Sequence, residues 1–221
     1  MNKELTEIAY ILDRSGSMYN MVEPAIDGFN QFLQEQRNAP GFARLTLVLF
    51  DDEYRVPYQS IPIEQVPNLN TTTYVPGQST ALLDAVGRTI NELGERLAAM
   101  PEAERPGQVI VTIFTDGLEN SSVKFNWKQI SDMIKHQQEK YSWEFLFLAA
   151  NQDAIATASK ISIDRDFAAN VISSKKGFSS AASSFARKIS SRRRYFSTGI
   201  KDADYNTPMQ DLTLEEESKG D

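Results

Sequence analysis

The sequence predicts a doubly wound α/β fold, a mostly parallel sheet with one antiparallel edge strand and helices packed on the sheet. Three observations predict it. Short apolar runs at residues 8–12, 43–50, 109–114 and 143–149 have the length and character of buried strands. Between them lie longer segments with apolar residues at helical spacing, at 21–36, 81–97 and 127–138. Two of the apolar runs end in short polar motifs, Asp13-Arg14-Ser15-Gly16-Ser17 and Thr115-Asp116-Gly117, the place where ligands bind in open α/β sheets.

The run Ile8-Ala9-Tyr10-Ile11-Leu12 forms the first strand. Residues 21–36 then place Met21, Val22, Ala25, Ile26, Phe29, Phe32 and Leu33 along one side of a helix that packs on the sheet. Residues 43–50 read as a strand, Asp51-Asp52-Glu53 as a tight turn and residues 54–61 as the returning strand of a hairpin, which supplies the antiparallel edge. Pro57, Pro62, Pro67 and Pro76 suit an edge strand followed by an irregular crossing back to the motif-bearing end of the sheet. A helix over 81–97, a strand over 109–114, a helix over 127–138 and a strand over 143–149 follow. Residues 153–159 make a short helix and 167–172 a last edge strand. A Ser/Ala-rich helix over 177–192 has Phe178, Ala182, Phe185 and Ile189 on one face, and the acidic residues 215–221 are expected to be loosely held.

Asp-x-Ser-x-Ser puts one carboxylate and two hydroxyls on a single turn, with Gly16 permitting the backbone bend. Alone, the motif equally describes an Asx or Ser turn entering a helix. As a cation site it offers only oxygen, the donor that hard divalent ions such as Mg²⁺ favour, and a near-octahedral shell needs ligands from other loops. Thr80, at the entry of the helix over 81–97, and Asp116, at a strand end, are the candidates.

With those residues in view, the sequence resembles the von Willebrand factor type A domain family. Asp13, Ser15 and Ser17 match its Asp-x-Ser-x-Ser motif, Thr80 within Gly-Gln-Ser-Thr-Ala-Leu-Leu-Asp-Ala its separate threonine, and Asp116 within Phe-Thr-Asp-Gly its distal aspartate. The Ile-Leu-Asp-Arg-Ser-Gly-Ser-Met wording is similar to compact bacterial members, including tellurite-resistance-associated ones. The resemblance implies a Rossmann-like domain over residues 1–200; residues 201–221 lie outside it and read as an acidic C-terminal tail. It also implies a complete metal-ion-dependent adhesion site (MIDAS) whose metal residues are Asp13, Ser15, Ser17, Thr80 and Asp116. The cofactor would be a divalent cation, Mg²⁺ ahead of Mn²⁺ or Ca²⁺, and a partner protein would complete its shell with an Asp or Glu carboxylate. Movement of the distal aspartate and of the terminal helix is the switch the resemblance implies.

Composition narrows the function classes. The 221-residue chain is 41% apolar and carries a net charge of −7, so its overall field repels nucleic acid and anionic membranes. The absence of cysteine excludes disulfides, thiolate metal sites and cysteine nucleophiles, and fits a reducing compartment. With no signal-peptide pattern and no apolar run near the ~20 residues that span a bilayer, a cytoplasmic protein is expected. No phosphate-binding loop, nucleophile elbow or His-Glu-x-x-His motif is present, and neither serine of the first motif has a histidine nearby in sequence. A protein-binding module is therefore favoured over a metal-dependent hydrolase or phosphotransferase, or a cation that only ties loops together.

Several residues carry humbler expectations. Asp84 orients a ligand or simply favours its helix N-terminus, Asp51 and Asp52 serve a turn, and Glu119 and Asn120 shape the rim of the site or are solvated. Asn151 and Asp153 cap a helix. Arg192-Arg193-Arg194, with Arg187 and Lys188, reads as a solvated helix end ahead of a phosphate or acidic-partner site. Met18, Tyr19 and Met21 form an apolar collar or, for the methionines, pack beneath the first helix. His136 receives no function. Asp202, Asp204, Asp211 or Glu215 to Glu217 are acidic groups that a neighbouring molecule's metal would accept.

Overall fold

The computed structural model describes residues 1–150 and 153–219. Strands β1 (Asn2–Asp13), β2 (Phe42–Phe50), β3 (Tyr54–Pro62), β4 (Pro106–Thr115), β5 (Glu144–Ala150) and β6 (Ala168–Val171) form one sheet in the order β3-β2-β1-β4-β5-β6. All neighbours are parallel except β2 and β3, whose antiparallel pairing makes β3 the edge the hairpin pattern anticipates. Successive crossovers leave β1 in opposite directions, toward β2 and toward β4, so the topological switch point lies between β1 and β4.

Two layers of helix cover the sheet because its central strands are apolar on both faces. Ile8, Tyr10 and Leu12 share a core with helices α1 (Val22–Asn38), α5 (Lys175–Thr198) and α6 (Met209–Ser218). The alternate residues Ala9 and Ile11 join the opposite core with α2 (Leu82–Ala99), α3 (Trp127–Tyr141) and α4 (Ala154–Lys160). On the first face Tyr10 meets Phe29 edge-on at 5.3 Å and Phe114 meets Phe178 at 4.9 Å, fastening α1 and α5 to the two central strands. Asp153 caps α4 as expected, accepting the Ala156 N–H at 3.0 Å, while Asn151 lies outside the described residues.

The C-terminal region departs from the sequence reading. Helix α5 continues to Thr198, so the arginine triplet is not a solvated helix end. Arg193 is only 2% exposed and donates to the Gln36 carbonyl (2.6 Å), the Gln36 side chain and the Gly41 carbonyl (2.9 Å). Arg192 lies 4.1 Å over the Tyr205 ring and pairs with Glu144. The acidic end is not loosely held either: α6 buries Met209 and Leu212, and Arg187 pairs with Asp204, Glu215 and Glu216. Lys188, buried, donates to the Asp204, Tyr205 and Thr207 carbonyls at 2.7–3.2 Å. The sequence pattern missed this because Arg187, which pairs with Asp204, Glu215 and Glu216, lies on α5, remote from them in sequence. Asp202, Asp204, Glu215 and Glu216 are thus engaged within the chain; Gly220 and Asp221 lie outside the described residues. No described helix is long and apolar enough to cross a membrane.

Candidate metal centre

The five residues singled out from sequence come together at the carboxyl ends of β1 and β4. Asp13 is the last residue of β1 and Asp116 the first after β4, and parallel pairing of Leu12 with Phe114 brings these ends side by side. Asp13 Oδ1 accepts the Ser15 N–H at 2.6 Å, and Oδ2 accepts the Thr115 hydroxyl at 2.5 Å. The Ser15 and Ser17 hydroxyls stand 3.0 Å apart, and the Ser17 hydroxyl donates to Asp116 Oδ1. A short 3₁₀ turn, Gly16–Met21, then leads into α1. Gly16 does not occupy the left-handed region; its place is a close approach, since a Cβ there would stand 3.0 Å from the Gln78 carbonyl oxygen.

Thr80 reaches the site on the crossing between β3 and α2. Gly77 N–H donates to the Arg14 carbonyl at 2.6 Å and Gly16 N–H to the Gln78 carbonyl at 2.9 Å, which lays the crossing along the first loop. A Cβ on Gly117 would lie 2.5 Å from Thr80 Oγ1 and 3.2 Å from Ser15 Oγ, so both hydroxyls point at the hollow that this glycine leaves open. The loop after β4 holds them there. Asn120 exchanges hydrogen bonds with Thr80 through its Oδ1 (2.9 Å) and its N–H (3.1 Å), and Glu119 caps α2 by accepting the Leu83 N–H at 3.0 Å.

The other sequence expectations resolve individually. Asp84 accepts the Val123, Lys124 and Phe125 N–H groups at 2.9–3.0 Å, pinning the loop after β4. Met18 is buried, Met21 partly so, and Tyr19 is 75% exposed. His136 meets the Tyr141 ring edge-on at 5.7 Å on α3, away from these loops. Sequence reasoning gave no role to Thr115, although it sits inside Thr115-Asp116-Gly117, and missed Tyr74, whose buried hydroxyl donates to the Asp13 carbonyl at 2.6 Å. No local pattern marks Tyr74, because its partner is 61 residues distant.

The electrostatics are those of an unbalanced acidic site. Asp13 and Asp116 are 0% and 3% exposed. Burial pushes the Asp13 carboxyl up to about 6, against the pull of the Thr115 and Ser15 hydrogen bonds and with a further push from Asp116. Burial likewise raises Asp116, opposed by the Ser17 hydrogen bond. Among the described residues no Lys, Arg or His pairs with either carboxylate, and buried charges are ordinarily paired or bound to metal. Nor do three His, Cys, Asp or Glu side chains gather into a metal cluster among the described residues. The donor set is two carboxylates with three hydroxyls, which fits a hard divalent cation that keeps part of its water shell.

No protein-family model and no curated protein matches the sequence. Solved structures do resemble the chain. A von Willebrand factor type A protein from Catenulispora acidiphila superposes with a TM-score of 0.56 at 16% identity, covering 85% of this chain and 43% of that one. Proximal thread matrix protein 1 from the mussel byssus, with a zinc-occupied MIDAS motif, gives 0.56 at 16% identity over 84% of this chain and 46% of that one. Manganese-loaded Plasmodium vivax TRAP protein gives 0.54 at 19% identity, over 78% of this chain and 70% of that one. The chain spans less than half the length of the first two. At these identities the likeness shows the fold, which is the von Willebrand factor type A fold.

Proposed function

We propose that this chain is a metal-dependent protein-binding module of the von Willebrand factor type A family. Asp13, Ser15, Ser17, Thr80 and Asp116 hold a divalent cation, Mg²⁺ in preference to Mn²⁺ or Ca²⁺, and a partner protein's Asp or Glu completes its shell. One observation carries this reading: two buried carboxylates, without a basic partner among the described residues, adjoin three hydroxyls on convergent loops. The zinc-occupied and manganese-loaded proteins of the same fold support it.

Neutral hydroxyl ligands leave most of the cation's charge uncompensated, so the ion remains attractive to an incoming carboxylate. Ser17, the exposed member of the set, lies on the open side from which a partner approaches. The Ser15 and Ser17 hydroxyls hydrogen-bond to one another and Ser17 to Asp116, and among the described residues neither bonds to a histidine, the usual activator of a serine nucleophile, which favours binding over nucleophilic catalysis. The cysteine-free composition fits a reducing, cytoplasmic setting.

Affinity capture tests the reading, using wild type and Asp116→Ala, each with Mg²⁺ and with chelator, after folding is verified. Recovery of a partner by metal-loaded wild type alone is expected. Equal recovery in all four arms would reduce the cation to a structural role, and turnover abolished by Asp116→Ala would establish an enzyme instead.

A further inference from the structure

Arg14 occupies the variable position between Asp13 and Ser15, yet it is only 4% exposed. Its guanidinium donates to Asp51 Oδ1 at 2.6 Å, to Glu53 Oε2 at 3.2 Å and, through the other terminal nitrogen, to the Val75 carbonyl at 2.9 Å. Asp51 is equally buried, at 4% exposed, and lies on the turn between β2 and β3. The same Oδ1 accepts the Glu53 N–H at 2.8 Å. One buried ion pair thereby joins the first loop, the β2–β3 turn and the crossing that delivers Thr80.

The grip on the crossing is detailed. Arg14 holds Val75 through its side chain and Gly77 through its carbonyl, while the Asp51 carbonyl accepts the Ala81 N–H at 2.9 Å. The Asp51 carboxylate fills the space beside Gly77 so completely that a Cβ there would fall 1.5 Å from Oδ2. Thr80 rides between these fixed points. Because both charges are desolvated, removing one leaves the other buried and uncompensated, so the surrounding loops must rearrange.

We propose that the buried Arg14–Asp51 pair is the positioning device of the candidate cation site, fixing where the Thr80 hydroxyl stands relative to Ser15 and Ser17. The proposal rests on the cation-site reading above. Arg14 touches neither the hollow beside Gly117 nor the incoming carboxylate, and acts through the crossing. A guanidinium serves where an ammonium fails, because one planar fork reaches the Val75 carbonyl and Asp51 together.

Mn²⁺ titration of metal-free protein, followed by calorimetry and by the electron paramagnetic resonance spectrum of the bound ion, tests this. Wild type and a surface control, Lys128→Gln, should bind alike. Arg14→Gln and Arg14→Lys should each lose at least tenfold in affinity and alter the spectrum. In a Thr80→Ala background Arg14→Lys should add little further loss, since the pair acts through Thr80. Arg14 variants that match wild type in affinity and spectrum, or a loss fully additive with Thr80→Ala, would overturn the proposal while leaving the site intact. Failure of wild type to bind Mn²⁺ would overturn the site itself. Arg14→Lys, which keeps a cation beside Asp51, carries the test if Arg14→Gln does not fold.

Discussion

The Thr115 hydroxyl donates to Asp13 Oδ2 at 2.5 Å, tying the end of β4 to the end of β1 across the switch point of the sheet. That bond sets the angle at which Asp13 faces the first loop, since its other oxygen accepts the Ser15 N–H. A buried hydrogen bond to a carboxylate contributes ~1.5–3 kcal/mol. Thr115→Val, which keeps the shape and removes the donor, should destabilise the metal-free protein by about that amount in denaturant unfolding.

Gly117 is the floor of the site. Its replacement by alanine would set a methyl 2.5 Å from Thr80 Oγ1 and 3.2 Å from Ser15 Oγ. Gly117→Ala should weaken divalent-cation binding by tenfold or more, about 1.4 kcal/mol or above. Calorimetric titration with Mg²⁺, beside circular dichroism to verify folding, checks this.

The docked C-terminal helix should be needed for stability. Leu212 is fully buried between α6 and the sheet-facing core, and truncation of a buried leucine costs ~2–5 kcal/mol. Leu212→Ala should show a loss in this range by urea unfolding. An end segment hanging free in solution would instead tolerate the change within about 0.5 kcal/mol.

Glu7 predicts a pH effect. It is 1% exposed on β1, where Arg96, Ser60 and Thr46 hydrogen-bond its carboxylate, yet burial outweighs them and raises its pKa above the ordinary 4.5. The folded chain then holds this proton more tightly than the unfolded chain. The Glu7 contribution to stability is therefore greatest below pH 4.5 and is lost as pH rises through its folded pKa. Stability curves of wild type and Glu7→Gln, compared by thermal unfolding from pH 4 to 7, should diverge with that sign.

Most of the fold was legible because the six strands and helices α1 to α5 announce themselves locally, whereas α6, in a segment with the composition of an acidic tail, did not. The run 8–12 needs no partner to read as a strand, and the spacing of Ala25, Ile26, Phe29, Phe32 and Leu33 places one face of α1 on the core. The gathering of Asp13, Ser15, Ser17, Thr80 and Asp116 was legible too, because strand ends and helix entries share one edge of a doubly wound sheet. What stayed hidden depends on contacts between distant segments. Arg14 and Asp51 looked like a loop residue and a turn residue until the crossing closed over them. The Arg192–Arg194 triplet looked solvated, and only packing against α1, the Gly41 carbonyl and residues 202–205 shows where its charges go. Residues 215–218 carried the composition of a loose end, and Arg187, remote in sequence, supplies the opposite charge that ties Glu215 and Glu216 to α5.

The most direct measurement is the stoichiometry and affinity of Mn²⁺ for metal-free wild type, Thr80→Ala and Asp116→Asn, each confirmed to be folded. One ion bound by wild type and at least tenfold weaker binding by both variants are expected. No bound ion in wild type, or equal affinity in all three proteins, would contradict the cation-site reading.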